Sequence, residues 1–273
     1  MIKRYHEAPI CIFNQVQALT DGDYALVHLF ESNHEYFARF RRAVEKGRDV
    51  LLDNSIFELG TAFDSDRYAY WIDRLQPTWY IVPDSWKNSE QTIEMFNQFV
   101  SAHKDLPGKR VGVAQGTTID EVIRSYMALE SRCDMIAFNL DFSSIFYNSF
   151  LPEVSIEAKQ AMIPYCVAMS IGRYYVLRDL YTGSYINKNK PHHLLGCGVP
   201  QEVQWYPKYW TWIRSIDTSN PVSAGIAKWE YDSISGISKK SDLLMCDHMD
   251  DFIDAESWNI IKSNITIMKD WCN

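Results

Sequence analysis

The chain has 273 residues, 47 % of them hydrophobic and 14 % aromatic, with 12 Gly and 10 Pro. That composition supplies a sizeable core and excludes a disordered, collagenous or fibrous chain. Its 27 basic and 35 acidic residues give a net charge of −8, which excludes a globally basic nucleic-acid-binding surface and leaves only a local patch for a polyanion.

In chain order, residues 1–24 are expected to cap the N-terminal end of the domain or to form a small hairpin. They lack the apolar segment of a signal peptide. Eight short, β-prone apolar runs follow: ALVHLF (25–30), DVLLDN (49–54), TWYIVPD (78–84), RVGVAQG (110–116), MIAFNLD (135–141), YCVAMS (165–170), HHLLGCG (192–198) and IRSIDTS (213–219). Helix start signals lie between them at Asn33, Asp64, Asn88 and Thr118, the last with Glu121 three residues on as a capping box. A final helix over 254–271 carries Trp258, Ile261, Ile265 and Met268 on one face.

Apolar strands alternating with amphipathic helices predict a parallel sheet covered on its outside. Eight such units predict a single-domain α/β fold, a (β/α)8 barrel over 25–271. An open doubly wound sheet usually has fewer strands, and GCG at 196–198 lacks the third glycine of a dinucleotide-binding turn. No apolar run approaches the roughly 20 residues of a membrane span. The six cysteines include no CxxC pair, so reduced thiols, a cytoplasmic location and no membrane partner are expected.

In a barrel of this kind the active-site groups sit at the C-terminal strand ends. These carry Asp53 and Asn54, Asp84, Gln115, Asn139 and Asp141, Ser170, and Asp217, with His193 at the start of its run. Asp, Asn and Ser also end strands merely because they open loops and cap helices.

The flanking sequences add to this. DNSIFELG (53–60), VPDSW (82–86), GVAQG (112–116), HHLLGCGVPQEV (192–203) and IDTSNP (216–221) resemble, in order, the signature blocks of the tRNA-guanine transglycosylases. These are (β/α)8 barrels whose superfamily includes phage enzymes that insert 7-deazaguanines into DNA. The resemblance spans about residues 50–225. It implies that Asp53 is the general acid/base, that Phe57 stacks on the base, and that Asp84 pairs with the guanine N1 and exocyclic amine. It further implies that Gln115 reads O6, that Asp217 is the nucleophile, and that Gly196 and Gly198 line the base pocket. His193 stands where the family usually has a tyrosine. Asn139 is expected beside these base-binding groups.

The residue types suit the chemistry. Base exchange at C1′ with retention needs one carboxylate to trap the sugar and a second to move the proton. A carboxylate next to a carboxamide complements the donor and acceptor edge of guanine, and an aromatic ring offers a stacking face.

Two departures from the family matter. Cys246, His248 and Cys272 do not have zinc-site spacing, so no metal and no cofactor are expected. Pro221 is followed by Val222, Ser223, Ala224 and Gly225 where the family has arginines that grip the anticodon backbone, so DNA is favoured over tRNA. The expected partners are a polynucleotide and a free guanine-like base, with room for a partner subunit.

Few phosphate contacts are expected, from Lys188 and Lys190 or from the cluster of Arg39, Arg41, Arg42, Lys46 and Arg48, although such clusters more often form solvated faces. The stretch of Trp205, Tyr206, Tyr209, Trp210 and Trp212 reads as core rather than as a stacking platform. Two other functions remain open: a non-catalytic barrel subunit that binds nucleic acid or an enzyme, and a barrel glycosidase or nucleosidase with the same two carboxylates.

Overall fold

A computed structural model describes all 273 residues. Eight parallel strands form one sheet: β1 (Lys3–Tyr5), β2 (Asp23–Leu26), β3 (Val50–Asp53), β4 (Trp79–Ile81), β5 (Lys109–Ala114), β6 (Met135–Phe138), β7 (His192–Leu194) and β8 (Ile213–Asp217). From β2 to β8 each strand pairs with its sequence neighbour. β1 then pairs with β8, placing Lys3 opposite Ser215 and Tyr5 opposite Asp217, so the sheet curls round on itself. Between β1 and β2 a single bridge, Tyr5 to Gly22, closes the seam. The result is a (β/α)8 barrel with one core of 65 buried residues.

Three strand assignments differ from the expectation. The run 25–30 is strand only at Ala25 and Leu26, the end of β2; from Val27 it is a helix, Val27–Ser32, with Val27, Leu29 and Phe30 buried. Lys3–Tyr5, inside the segment read as a cap, is a barrel strand, too short at three residues to show alternation. The run 165–170 is instead the start of an 18-residue helix, Tyr165–Thr182, entered from Pro164. Ala168, Met169, Gly172, Val176, Leu177 and Leu180 are buried in that helix, and a short apolar run reads the same in a buried helix as in a buried strand. Ser170 is therefore not a strand-end residue. Its hydroxyl accepts from the Val199 amide at 3.0 Å.

The capping signals act as expected. The side chains of Asn33, Asp64, Asn88 and Thr118 each accept a backbone N–H of the helix they open. The Glu121 carboxylate, however, turns to the amide (2.7 Å) and hydroxyl (2.9 Å) of Thr117 rather than closing the box on Thr118. Along the last helix, Ala255–Cys272, Ile261, Ile265 and Met268 are buried. Tyr206, Trp210 and Trp212 are core residues, while Trp205 and Tyr209 are exposed.

At the N-terminal end of the barrel the Asp49 carboxylate gathers donors from three strands. Tyr5 (3.0 Å), Lys3 (3.3 Å), Trp79 Nε1 (2.8 Å) and the Arg214 guanidinium all reach it. Burial would raise the Asp49 pKa, but Arg214, Tyr5 and Lys3 hold it below the usual carboxylate range.

Lys188 and Lys190 precede β7 and so lie at this same end. Lys190 is bound to the Cys133 carbonyl, and Lys188 sits 4.3 Å from the Tyr181 ring centre. Helix His34–Glu45 runs back towards the same end. There Arg41 donates to the carbonyls of Arg74 and Leu75, and Arg39 and Arg41 pair with Glu35 and Glu45. Neither basic cluster borders the mouth formed by the C-terminal strand ends.

A Cβ on Gly22 would come within 1.7 Å of the Tyr5 ring and 2.7 Å of the Asp49 carbonyl oxygen. Gly22→Ala is therefore expected to destabilise the barrel by about 1–3 kcal/mol, the usual cost of overpacking. Urea unfolding followed by tryptophan fluorescence measures this, and parental stability in that variant would show that the seam is not tightly closed.

Candidate active site

The C-terminal strand ends surround a cavity of about 1110 Å³, just above the roughly 300–1,000 Å³ range of small-molecule pockets. Glu7, Asp53, Asp84, Gln115, Asn139 and Asp217 all line it. The expected convergence of strand-end groups on one mouth is therefore present.

On one side four side chains form a chain of hydrogen bonds. Asn54 Nδ2 donates to Asp84 Oδ1 at 2.7 Å, and Gln115 Nε2 donates to Asp84 Oδ2 at 2.7 Å. Gln115 Oε1 in turn accepts from Asn139 Nδ2 at 2.8 Å and from the Lys87 amide at 2.9 Å. Each Asp84 oxygen thus spends one of its acceptor sites on the protein and keeps capacity for a ligand donor. Burial raises the Asp84 pKa despite the opposing hydrogen bonds from Asn54 and Gln115. Beyond Gln115, Lys87 pairs with Asp141 at 2.6 Å, and Tyr165 and Ser143 also donate to that carboxylate. Burial alone would raise Asp141, yet these donors hold it low.

Across the cavity, Asp217 Oδ1 receives His193 Nε2 at 2.9 Å and the Gly196 amide at 3.1 Å, while Oδ2 has no hydrogen bond within the protein. His193 Nδ1 lies 2.8 Å from Ser215 Oγ, which itself accepts from Arg214 at 3.4 Å. With Ser215 donating to Nδ1, the proton on Nε2 is aimed at Asp217. This geometry follows from strand periodicity, because Ser215 and Asp217 share the inner face of β8 and His193 is in register with Ser215 on β7.

His193 is wholly buried and does not line the cavity. It holds the carboxylate rather than touching a base. Ser215, equally buried, is not a nucleophile despite the Ser–His–Asp order.

Gly196 lines the cavity in the left-handed region (φ +55°), and its carbonyl accepts from Arg173 at 2.7 Å. Arg173 is fully buried against Glu202. Gly198 is not at the pocket surface. A Cβ there would meet the Cys166 carbonyl oxygen at 2.0 Å, so its role is the close approach of helix Tyr165–Thr182. Cys197 lines the pocket, but burial pushes its thiol up to about 12, so it is unreactive.

Asp53 accepts from the Ser55 amide at 2.7 Å through Oδ2, and Oδ1 is free of protein donors. Ser55 takes up a left-handed conformation (φ +60°) at this turn. Burial, then Glu58, Asp217 and Asp84, push the Asp53 carboxyl well above its ordinary pKa. Glu58 is raised to about 7 by burial and by Asp217, with Lys240 opposing, and its Oε2 has no partner. Glu7 rises for the same reasons, burial first and Glu58 next.

Phe57, 47 % exposed, stands at the rim with its ring 5.7 Å from that of Trp86. Glu7, Glu58, Trp86 and the wall formed by 238–245 were not singled out from the sequence. Glu7 follows Tyr5 by two residues and would have been legible once β1 was recognised.

No group of three or more His, Cys, Asp or Glu side chains is arranged to hold a metal ion, and His248 pairs with Asp251 at 2.6 Å. No helix is long and apolar enough to cross a membrane. In comparisons by sequence, no family model and no curated protein matches the chain.

Glu58 gives a pH signature. Its carboxyl ionises near 4.5 when unfolded and near 7 when folded, so between these values the folded state binds the extra proton and stability falls as pH rises. Glu58→Gln is expected to flatten that fall and to raise stability at pH 8 by on the order of 1–3 kcal/mol. Urea titrations at pH 5 and pH 8 check this. An unchanged pH dependence would place the Glu58 pKa at its ordinary value.

Proposed function

We propose that this barrel exchanges guanine in a polynucleotide for a free guanine-like base through a covalent bond between Asp217 and the sugar. The observation that carries the reading is the pair of buried carboxylates, Asp53 and Asp217, in one mouth, each with one oxygen free of protein donors. The Asp84–Gln115 edge beside them offers acceptors and an amide to a guanine edge. The resemblance of the strand-end blocks to the transglycosylases supports the same assignment.

In the first step Asp217 Oδ2 attacks C1′ as the bond from C1′ to the base nitrogen breaks. The electron pair leaves with guanine, which takes the proton of the Asp53 carboxyl. Burial and the neighbouring Glu58, Asp217 and Asp84 raise the Asp53 pKa, the direction that suits a group that must deliver a proton. In the second step the incoming base gives its N–H proton to the Asp53 carboxylate and bonds to C1′, which releases Asp217. Two inversions amount to retention. The Gly196 amide and His193 keep Asp217 Oδ1 engaged so that Oδ2 faces the sugar.

Val222, Ser223, Ala224 and Gly225, which stand where the family has its backbone-gripping arginines, are buried in helix Asn220–Ile226. DNA rather than tRNA is the substrate this favours.

Incubation with radiolabelled guanine and either DNA or tRNA should give label in the polynucleotide, and in DNA above tRNA. Asp217→Asn should lower exchange by at least about a thousandfold. Release of free base without incorporation would favour a nucleosidase instead, and label in neither polymer would overturn the reading.

Asp84→Asn should weaken guanine recognition by roughly 10- to 100-fold, seen as a raised KM. An amide in that position turns a donor towards Asn54, Gln115 or the base and leaves one of them unpaired. An unchanged KM would remove Asp84 from recognition.

A further inference from the structure

The rim of the cavity carries cations and aromatic rings in alternation. Lys240 Nζ lies 5.6 Å from the centre of the Phe57 ring, the Phe57 and Trp86 rings are 5.7 Å apart, and Lys87 follows Trp86 in the chain. Lys87 reaches Asp141, which also receives Tyr165, 49 % exposed. Of the three lysines lining the cavity, Lys87 has a carboxylate partner and Lys239 and Lys240 have no ion pair. Lys239 packs over the Trp229 ring at 3.6 Å.

The loop bearing both unpaired lysines is tied down. Gln201 exchanges two hydrogen bonds with Ile237, the Cys166 thiol donates to the Ser238 carbonyl, and Trp271 donates to the Ser233 carbonyl.

We infer that this arc is the binding track for an unpaired nucleic-acid strand, with Lys239 and Lys240 taking its phosphates and Trp86 stacking on a base beside the one that enters the cavity. The inference rests on the reading of the cavity as a site for a base of a polynucleotide, and it adds where the rest of the strand lies.

Charge sorts the two parts of a nucleotide. The cavity is lined by Glu7, Asp53, Glu58 and Asp217, so a phosphate inside it would add negative charge to a set of acids already crowded together, whereas a neutral base would add none. Phosphates are therefore kept to the rim, where the free cations are. The basic clusters elsewhere lie towards the far end of the barrel or are paired, and the helix after β8 presents no cation. An unpaired strand fits better than a duplex, because its bases are already free to stack on rim aromatics and to enter the cavity without the cost of unstacking.

The test is salt-dependent binding of short fluorescent single-stranded DNA and RNA oligonucleotides and of a matched duplex, read by anisotropy. The proteins are the parent, Lys239→Ala/Lys240→Ala, Trp86→Ala and Lys188→Ala/Lys190→Ala, each checked for an unchanged melting temperature. The parent is expected to bind single strands more tightly than duplex. The double variant at 239 and 240 should reduce the slope of log K against log salt by about 1.4, at about 0.7 for each lost phosphate contact. Trp86→Ala should weaken binding at an unchanged slope, and the variant at 188 and 190 should bind as the parent does.

Equal effects on DNA and RNA would assign recognition to the shared phosphodiester backbone, and an effect on one alone would assign the track to that strand. The inference is overturned by an unchanged slope in the 239/240 variant, by a slope loss in the 188/190 variant instead, by preference for duplex, or by no strand binding in the parent.

Measuring base exchange in the parent and in the 239/240 variant beside the binding separates the two claims. Strand binding that depends on Lys239 and Lys240, without base exchange in the parent, would leave the track standing and remove the exchange reading. Base exchange with lysine-independent binding would do the reverse.

Discussion

The Asp49 carboxylate is the constraint on which the barrel and its site both depend. It lies just before β3 and receives side chains from β1, β4 and β8, which the chain order does not otherwise hold at one point. Its strongest partner, Arg214, also donates to Ser215, and from there the bonds run through His193 to Asp217. One column of polar contacts thus joins the floor of the barrel to the Asp217 carboxylate in the cavity. The orientation of Asp217 is therefore set by groups buried well below the cavity, and a ligand meets a carboxylate already aimed.

The opposite end of the barrel accepts a local cost. Glu7, Asp53, Glu58 and Asp217 crowd together with one lysine of the mouth, Lys240, in opposition, and burial adds to their mutual repulsion. The chain relieves this by holding protons on some of these groups rather than by pairing them all. Ser55 and Lys87, both in the left-handed region without being glycine, border the same site. Left-handed non-glycine residues occur elsewhere too, at Gln76, Leu151, Ser184 and Lys228, but only at the mouth do they border a group of crowded buried acids.

Much of this was legible in the sequence because it depends on local rules. Six of the eight strands coincide with apolar runs, a seventh shares only Ala25 and Leu26 with its run, and the four N-caps act as their residue types dictate. Asp53, Asp84, Gln115, Asn139 and Asp217 reach one cavity because a parallel barrel sends every C-terminal strand end to the same face. What was not legible depends on tertiary contacts. β1 is defined by its pairing with β8, more than 200 residues away, and not by its own three residues. The helix at 165 starts with residues as apolar as a strand, and only packing decides between them. His193 and Gly198 sit in the right blocks, yet both support the wall instead of forming its surface, a distinction of depth that a linear sequence does not carry.

The pairing of Lys3–Tyr5 with Ile213–Asp217 also orders events in time. A ribosome releases the first strand long before its only extended neighbour exists, and contacts of such sequence separation form late. β2 to β6 can assemble in succession as they emerge, each beside the strand made just before it. The N-terminal segment must wait in the open until nearly four-fifths of the chain has followed it. The nucleophile candidate Asp217, opposite Tyr5 in that final ladder, is thus assembled by the same event that finishes the barrel. A partly folded chain has neither the closed wall nor the aimed carboxylate, so the cavity and its acid arrive together, with completion of the fold.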